Sequence, residues 1–196
     1  MTFFNKHAEA FTKFATVLTR FFSIAYFIGA VCMAAALVLV LLNPLAPGEF
    51  MQNTQPMEEL SSRGFSIIIA DSQGSLLPGA LPVFFIEAAL SLGLMGWVFR
   101  NVNLILRTSQ GLTKFSQGKT PFQKDNVRML REISLFFIGI TVVQIVLCGI
   151  AVLVLGPENA EVSAGASDLI TGILMLCLSE CFAAGARMQQ DVDGLV

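Results

Sequence analysis

The stretch Phe21–Leu42, FFSIAYFIGAVCMAAALVLVLL, contains no charged residue. An apolar run of that length has one natural solvent, because the hydrocarbon core of a bilayer takes a helix of about 20 such residues. Three further blocks meet the same requirement. The second runs from about Leu81 to Phe99 and holds one acid, Glu87; the third, Ile133–Leu155, is uncharged, with Gln144 its most polar member. The fourth spans about Asp168 to Ala186 and contains Glu180. Charged residues make up 13% of the chain, about half the share usual in soluble domains. The expected fold class is therefore an all-α integral membrane protein, a four-transmembrane-helix bundle forming a single membrane domain over residues 1–196. The first block is too long for a signal-peptide h-region, and no convincing A-x-A site follows it, so it reads as a retained span.

Lys and Arg set the orientation of such a bundle. Lys6, Lys13 and Arg20 precede the first span. Arg100, Arg107, Lys114, Lys119, Lys124, Arg128 and Arg131 lie between the second and third, and Arg187 follows the fourth. Eleven of the twelve basic residues thus fall on one side, and Arg63 alone on the other. The expectation is N-in/C-in, with both termini and the 100–132 segment cytoplasmic. The 43–80 loop and the 156–167 turn, with Glu49, Glu58, Glu59, Asp71, Glu158 and Glu161, would face outward.

Residues 3–20 read as an N-terminal amphipathic helix, with Phe4, Phe11, Ala15 and Leu18 on one face and Lys6, Lys13 and Arg20 on the other. Such a helix either lies on the inner leaflet or simply extends the first span. Asn43-Pro44 and Pro47-Gly48 should end that span sharply. In the outer loop, MEELSSRGF suggests a short helix, FSIIIA a strand or buried segment, and DSQGSLLPG a turn. A loop of this length either packs over the bundle or meets a partner. Ala30/Ala34 and Ala89/Gly93 are small-residue pairs that would let helices approach closely.

The segment GLTKFSQGKT, Gly111–Thr120, ends like a phosphate-binding loop but is not one. A P-loop needs Gly, four residues, then Gly-Lys-Ser/Thr after a strand; here Thr113 stands where the first Gly is required. The same residues fit a helix start, with Thr120 as N-cap, Pro121 at the first helical position and Gln123 at the third. A helix from that point would run into the third span and carry Lys124, Arg128 and Arg131 on one face at i, i+4 and i+7.

Two intramembrane acids are the most informative polar residues, because ionisable groups in spans are costly and often functional. No Lys, Arg or His lies within a span to balance them. From the helical rise, Glu87 lies roughly 10 Å below the outer surface, Gln144 near the middle and Glu180 roughly 18 Å down. The three either form a polar ladder of the kind a proton or ion transporter uses, or hydrogen-bond across helix interfaces and fix packing. Cys32, Cys148, Cys177 and Cys181 all fall within spans and read as small hydrophobes; a disulfide framework is not expected, since none lies in the outer loops. With His7 the only histidine, no catalytic, cofactor-binding or metal-ligating set can be assembled. An enzyme is not expected, nor is a direct nucleic-acid binder, for no reader module is present. The basic segment would meet anionic lipid, and could also dock a cytoplasmic partner with an acidic face. Alternatively, Arg128 or Arg131 could pair with Asp191 and lock the inner ends of the third and fourth spans.

Two stretches, TPFQKDNVRMLREIS and LSECFAAGARMQQDVDGLV, resemble a bacterial family of small four-span membrane proteins labelled domain of unknown function 2975. The matching positions are Pro121, Phe122, Asn126, Arg128, Leu130 and Arg131, then Phe182, Gly185, Arg187, Asp191, Asp193 and Gly194. Leu195 stands where family members often have Thr. The resemblance covers mainly the last 80 residues. It implies a multi-pass protein of the bacterial inner membrane, and no reaction. Genes of similar proteins often neighbour a small helix-turn-helix regulator, which implies a membrane protein binding that regulator at its cytoplasmic face. The residues such docking, or an inner-face lock, would use are Lys124, Arg128, Arg131, Arg187, Asp191 and Asp193. Two other roles stay open: a small transporter or channel component using Glu87, Gln144 and Glu180, and an accessory subunit of a larger membrane complex.

Overall fold

The computed structural model describes residues 2–43, 59–70, 75–114, 116, 120–162 and 165–193. Four helices dominate: α1 (Thr2–Leu42), α2 (Ala80–Ser109), α3 (Lys124–Leu155) and α4 (Gly165–Asp193). Each is long and apolar enough to cross a membrane. Three short strands, β1 (Glu59–Ser62), β2 (Phe65–Ile68) and β3 (Ala160–Val162), form an antiparallel sheet in the order β1-β2-β3.

α1 is unbroken, so residues 3–20 and the first span share one helix. It stops at Leu42, and Asn43 N–H donates to Leu39 O at 2.9 Å; Pro44, Pro47 and Gly48 lie outside the described residues. The described part of MEELSSRGF is strand and turn, not helix. Both turn residues have positive φ, Arg63 at 50° and Gly64 at 88°. That is the backbone of a two-residue hairpin turn whose twist matches its strands, and it sets the Ser62↔Phe65 register. FSIIIA is a strand as well as buried: Phe65, Ile67 and Ile69 are buried at every second position, as a one-sided sheet requires. In DSQGSLLPG, residues 71–74 lie outside the described residues. The remainder makes a bridge between Ala70 and Leu76 and enters α2 after Gly79, at φ 91°.

α3 begins at Lys124, three residues later than the capping box implies. Thr120 Oγ1 accepts from Phe122 N–H at 3.2 Å and the Gln123 side chain donates to Thr120 O at 2.8 Å. The first helical bond, Val127 N–H to Gln123 O at 3.1 Å, makes Gln123 the residue before the helix. Pro121 and Phe122 are thus part of a side-chain-braced turn. Asn126 closes that turn by donating to Pro121 O at 2.8 Å.

The chain falls into two compact units, and each helix contributes to both. The first comprises residues 1–26, 95–138 and 170–196. In it α1 meets α2 through Ser23 Oγ donating to Gly96 O at 3.0 Å and Asn103 donating to Thr16 O at 2.6 Å. Tyr26 stacks on Phe99, and Phe22 meets the same ring at a tilt. α3 meets α4 where Ser134 Oγ donates to Gly172 O at 2.8 Å. A Cβ at Gly172 would stand 2.9 Å from the Ile138 side chain, so only glycine allows this approach.

The second unit comprises residues 27–94 and 139–169. Its core joins Phe65, Ile67 and Ile69 of the sheet to Ala80, Val83, Phe84 and Ala88 of α2 and to Leu147 and Ala151 of α3. α1 approaches α2 at Gly29, where an added Cβ would touch Leu92; Gly93, of the expected small-residue pair, has open space beside it.

Gly64→Val should disrupt the hairpin, since a β-branched residue at that φ is strained by about 1–3 kcal/mol. A lowered thermal midpoint in detergent, with α-helical content retained before the transition, is the expected result.

Candidate functional site

The first unit carries a basic groove between α3 and α4. Lys124, Arg128 and Arg131 project from one face of α3, and Arg187 joins them from α4. Val127, Ala183, Ala186 and Gln190 complete a cavity of about 300 Å³. α3 and α4 are also held together by the Ser134–Gly172 contact, and the turn before α3 is held to α4 by Phe122. That ring lies 5.3 Å from Phe182 and directly over Gly185, where a Cβ would come within 2.6 Å of it. Thr120 adds a hydrogen bond to Gln189 at 2.8 Å.

Two acids answer some of this charge. Arg131 pairs with Glu180 at 2.7 Å, and Arg128 with Glu132 at 3.4 Å. Glu132 also accepts from Asn101 of α2 at 2.9 Å. Lys124 and Arg187 make no ion pair among the described residues. Asp191 is exposed, and the two arginines expected to meet it pair instead with Glu132 and Glu180; the side chain of Asp193 lies outside the described residues. The α3–α4 ion pair is therefore made about three helical turns before Asp191, by Glu180, which as an exposed acid between apolar neighbours finds its countercharge on the facing helix.

The second unit holds a buried polar cluster around the hairpin tip. Glu87 and Gln144 are both 0% exposed. Ser91, one turn along α2, donates to Glu87 Oε1 at 2.6 Å, and Ser62, Gln144 and Arg63 surround the same carboxyl. Gln144 Nε2 donates to the backbone carbonyl of Arg63 at 3.1 Å. The Arg63 guanidinium turns to Asp168, with one terminal nitrogen 2.9 and 3.1 Å from its two oxygens. Asp168 lies in the first turn of α4, where the helix dipole also favours a negative charge. Glu87 Oε2, Gln144 Oε1 and Arg63 Nε are buried without a hydrogen-bond partner.

Of the three polar residues expected as a ladder, Glu87 and Gln144 therefore share one cluster, while Glu180 belongs to the other unit and pairs there with Arg131. Arg63 and Asp168 lie outside the candidate sites that the sequence suggests. Two signals pointed to Arg63: it is the lone basic residue of its side, and it precedes Gly in a segment of alternating pattern. None of the four cysteines forms a disulfide, and Cys32, Cys177 and Cys181 are exposed. Among the described residues no group of His, Cys, Asp or Glu could hold a metal ion.

No protein-family model, curated protein or solved structure matches this chain.

The Arg63–Asp168 pair is partly shielded, at 26% and 13% side-chain exposure. A double-mutant cycle with Arg63→Ala and Asp168→Ala should give a coupling of about 1–2 kcal/mol. Additive effects on the unfolding free energy would show instead that the pair contributes nothing.

Proposed function

We propose that this protein is a non-enzymatic, multi-pass protein of the bacterial inner membrane, N-in/C-in, that serves as a regulatory or accessory component. It acts by docking an acidic segment of a cytoplasmic partner on the groove of Lys124, Arg128, Arg131 and Arg187. The observation that carries this reading is the convergence of these four side chains, from two helices, on one cavity with an apolar floor. A charged rim around a small apolar floor captures an acidic partner quickly and in a defined register. The excess of Lys and Arg at this end of the helices supports a cytoplasmic orientation.

The resemblance to the four-span family supports the same reading, and its gene association favours a helix-turn-helix regulator as the partner. Integral subunits of a larger membrane complex are the alternative partner class. A transport role for Glu87, Gln144 and Glu180 has less support, because Glu180 is paired with Arg131 in a different unit from the other two.

The test is affinity purification of the tagged protein from native membranes in a mild detergent, followed by identification of what accompanies it. The control is the Lys124→Glu/Arg128→Glu/Arg187→Glu variant, checked for unchanged helical content. A partner with an acidic face should come with the wild type and fall at least about tenfold with the variant, as loss of several close charge pairs predicts. Equal recovery with a folded variant would refute docking at this groove.

A further inference from the structure

We infer that the same groove is a specific site for an anionic phospholipid, with its phosphate on Lys124, Arg128 and Arg187 and an acyl chain along the apolar wall beside them. The inference rests on reading the groove as the protein's binding surface. It does not require that a protein partner exist.

Two properties occur together here. The first is charge available for an anion. Lys124 and Arg187 flank the cavity with no ion pair among the described residues, and four cations face it against the two acids Glu132 and Glu180. A guanidinium presents a planar fork of donors to phosphate oxygens, and an ammonium a compact charge. Basic pockets between membrane helices at the cytoplasmic level are recognised headgroup sites.

The second property is an apolar wall continuous with the charge. Leu135 follows Arg131 by four residues and is 63% exposed, so it stands one turn along the same face of α3. On α4, Cys177 and Ile173 precede Glu180 by three and seven residues, and both are exposed. The Arg131–Glu180 contact brings these two faces side by side. The groove thus leads from a cationic mouth into an apolar furrow. An acidic segment of a soluble partner uses only the mouth, whereas a phospholipid uses both parts. Ala183 and Ala186 keep the floor low enough for a glycerol backbone to enter. Because headgroup and acidic segment compete for the same cations, a bound anionic lipid would hold a partner off the groove, and loss of that lipid would let the partner bind.

The experiment is native mass spectrometry of the full chain in mild detergent, titrated with phosphatidylglycerol, cardiolipin or phosphatidylcholine. Three variants accompany the wild type. Lys124→Ala/Arg187→Ala removes charge without touching an ion pair; Ala183→Leu fills the floor without touching charge; Lys13→Ala/Arg20→Ala removes the same charge from α1. The wild type should retain the anionic lipids over phosphatidylcholine. Either groove variant should lower that retention about tenfold, as two headgroup contacts imply, and the α1 variant should leave it unchanged. Equal losses in the groove and α1 charge variants would reduce the effect to general attraction and overturn the site. So would undiminished retention by a folded Lys124→Ala/Arg187→Ala protein, or loss in that variant with full retention by Ala183→Leu. Lipid selectivity without any captured protein would defeat only the docking reading, and a captured partner without lipid selectivity would defeat only this one.

Discussion

Gln144 lies eleven residues from the end of α3, and its amide finds the carbonyl of Arg63 at the tip of a hairpin from a distant part of the chain. Much of the second unit follows from that hydrogen bond. An amide N–H within a span can be satisfied only by protein, since lipid offers no partner. Bringing a backbone carbonyl to it requires a narrow two-residue turn, which the positive φ values of Arg63 and Gly64 provide. Once the turn is there, its guanidinium reaches Asp168, its neighbour Ser62 comes beside Glu87, and Phe65 and Ile67 are carried into the helical core. The third strand, from the α3–α4 connection, pairs with β2 and ties that connection to the hairpin.

The first unit solves a different problem with different means. Polar contacts join its helices in succession: Ser23 and Asn103 join α1 and α2, Asn101 and Glu132 join α2 and α3, and Ser134 joins α3 to α4. Hydroxyls and amides bonded to backbone carbonyls are the usual adhesive where all surfaces are apolar. What these contacts leave unsatisfied is positive charge at the ends of α3 and α4. That surplus distinguishes this unit from the second, whose single arginine is consumed by Asp168 and the polar cluster around it.

The two stretches that carry the family resemblance meet in the structure. Phe122 of the first lies on Phe182 and Gly185 of the second, and Asn126 braces the turn that presents Phe122. These positions hold the start of α3 to α4, while Arg128, Arg131 and Arg187 from the same stretches line the groove. Gly185 is understandable in these terms, as any Cβ would collide with the ring.

Sequence alone determined the four helices, because a long uncharged run has no other stable environment, and it determined which helix ends carry the positive charge. It also identified Lys124, Arg128 and Arg131 as one face, since helical spacing is a local rule. Tertiary structure decided the rest. The distant pairings Arg131–Glu180, Arg63–Asp168 and Gln144–Arg63 depend on which helix faces which, and periodicity carries no information about neighbours. In the sequence the hairpin reads in part as helix because Glu-Glu-Leu-Ser-Ser has no strong strand propensity of its own. Its strand conformation is fixed by pairing with β2 and by a turn whose backbone only the folded chain holds in place.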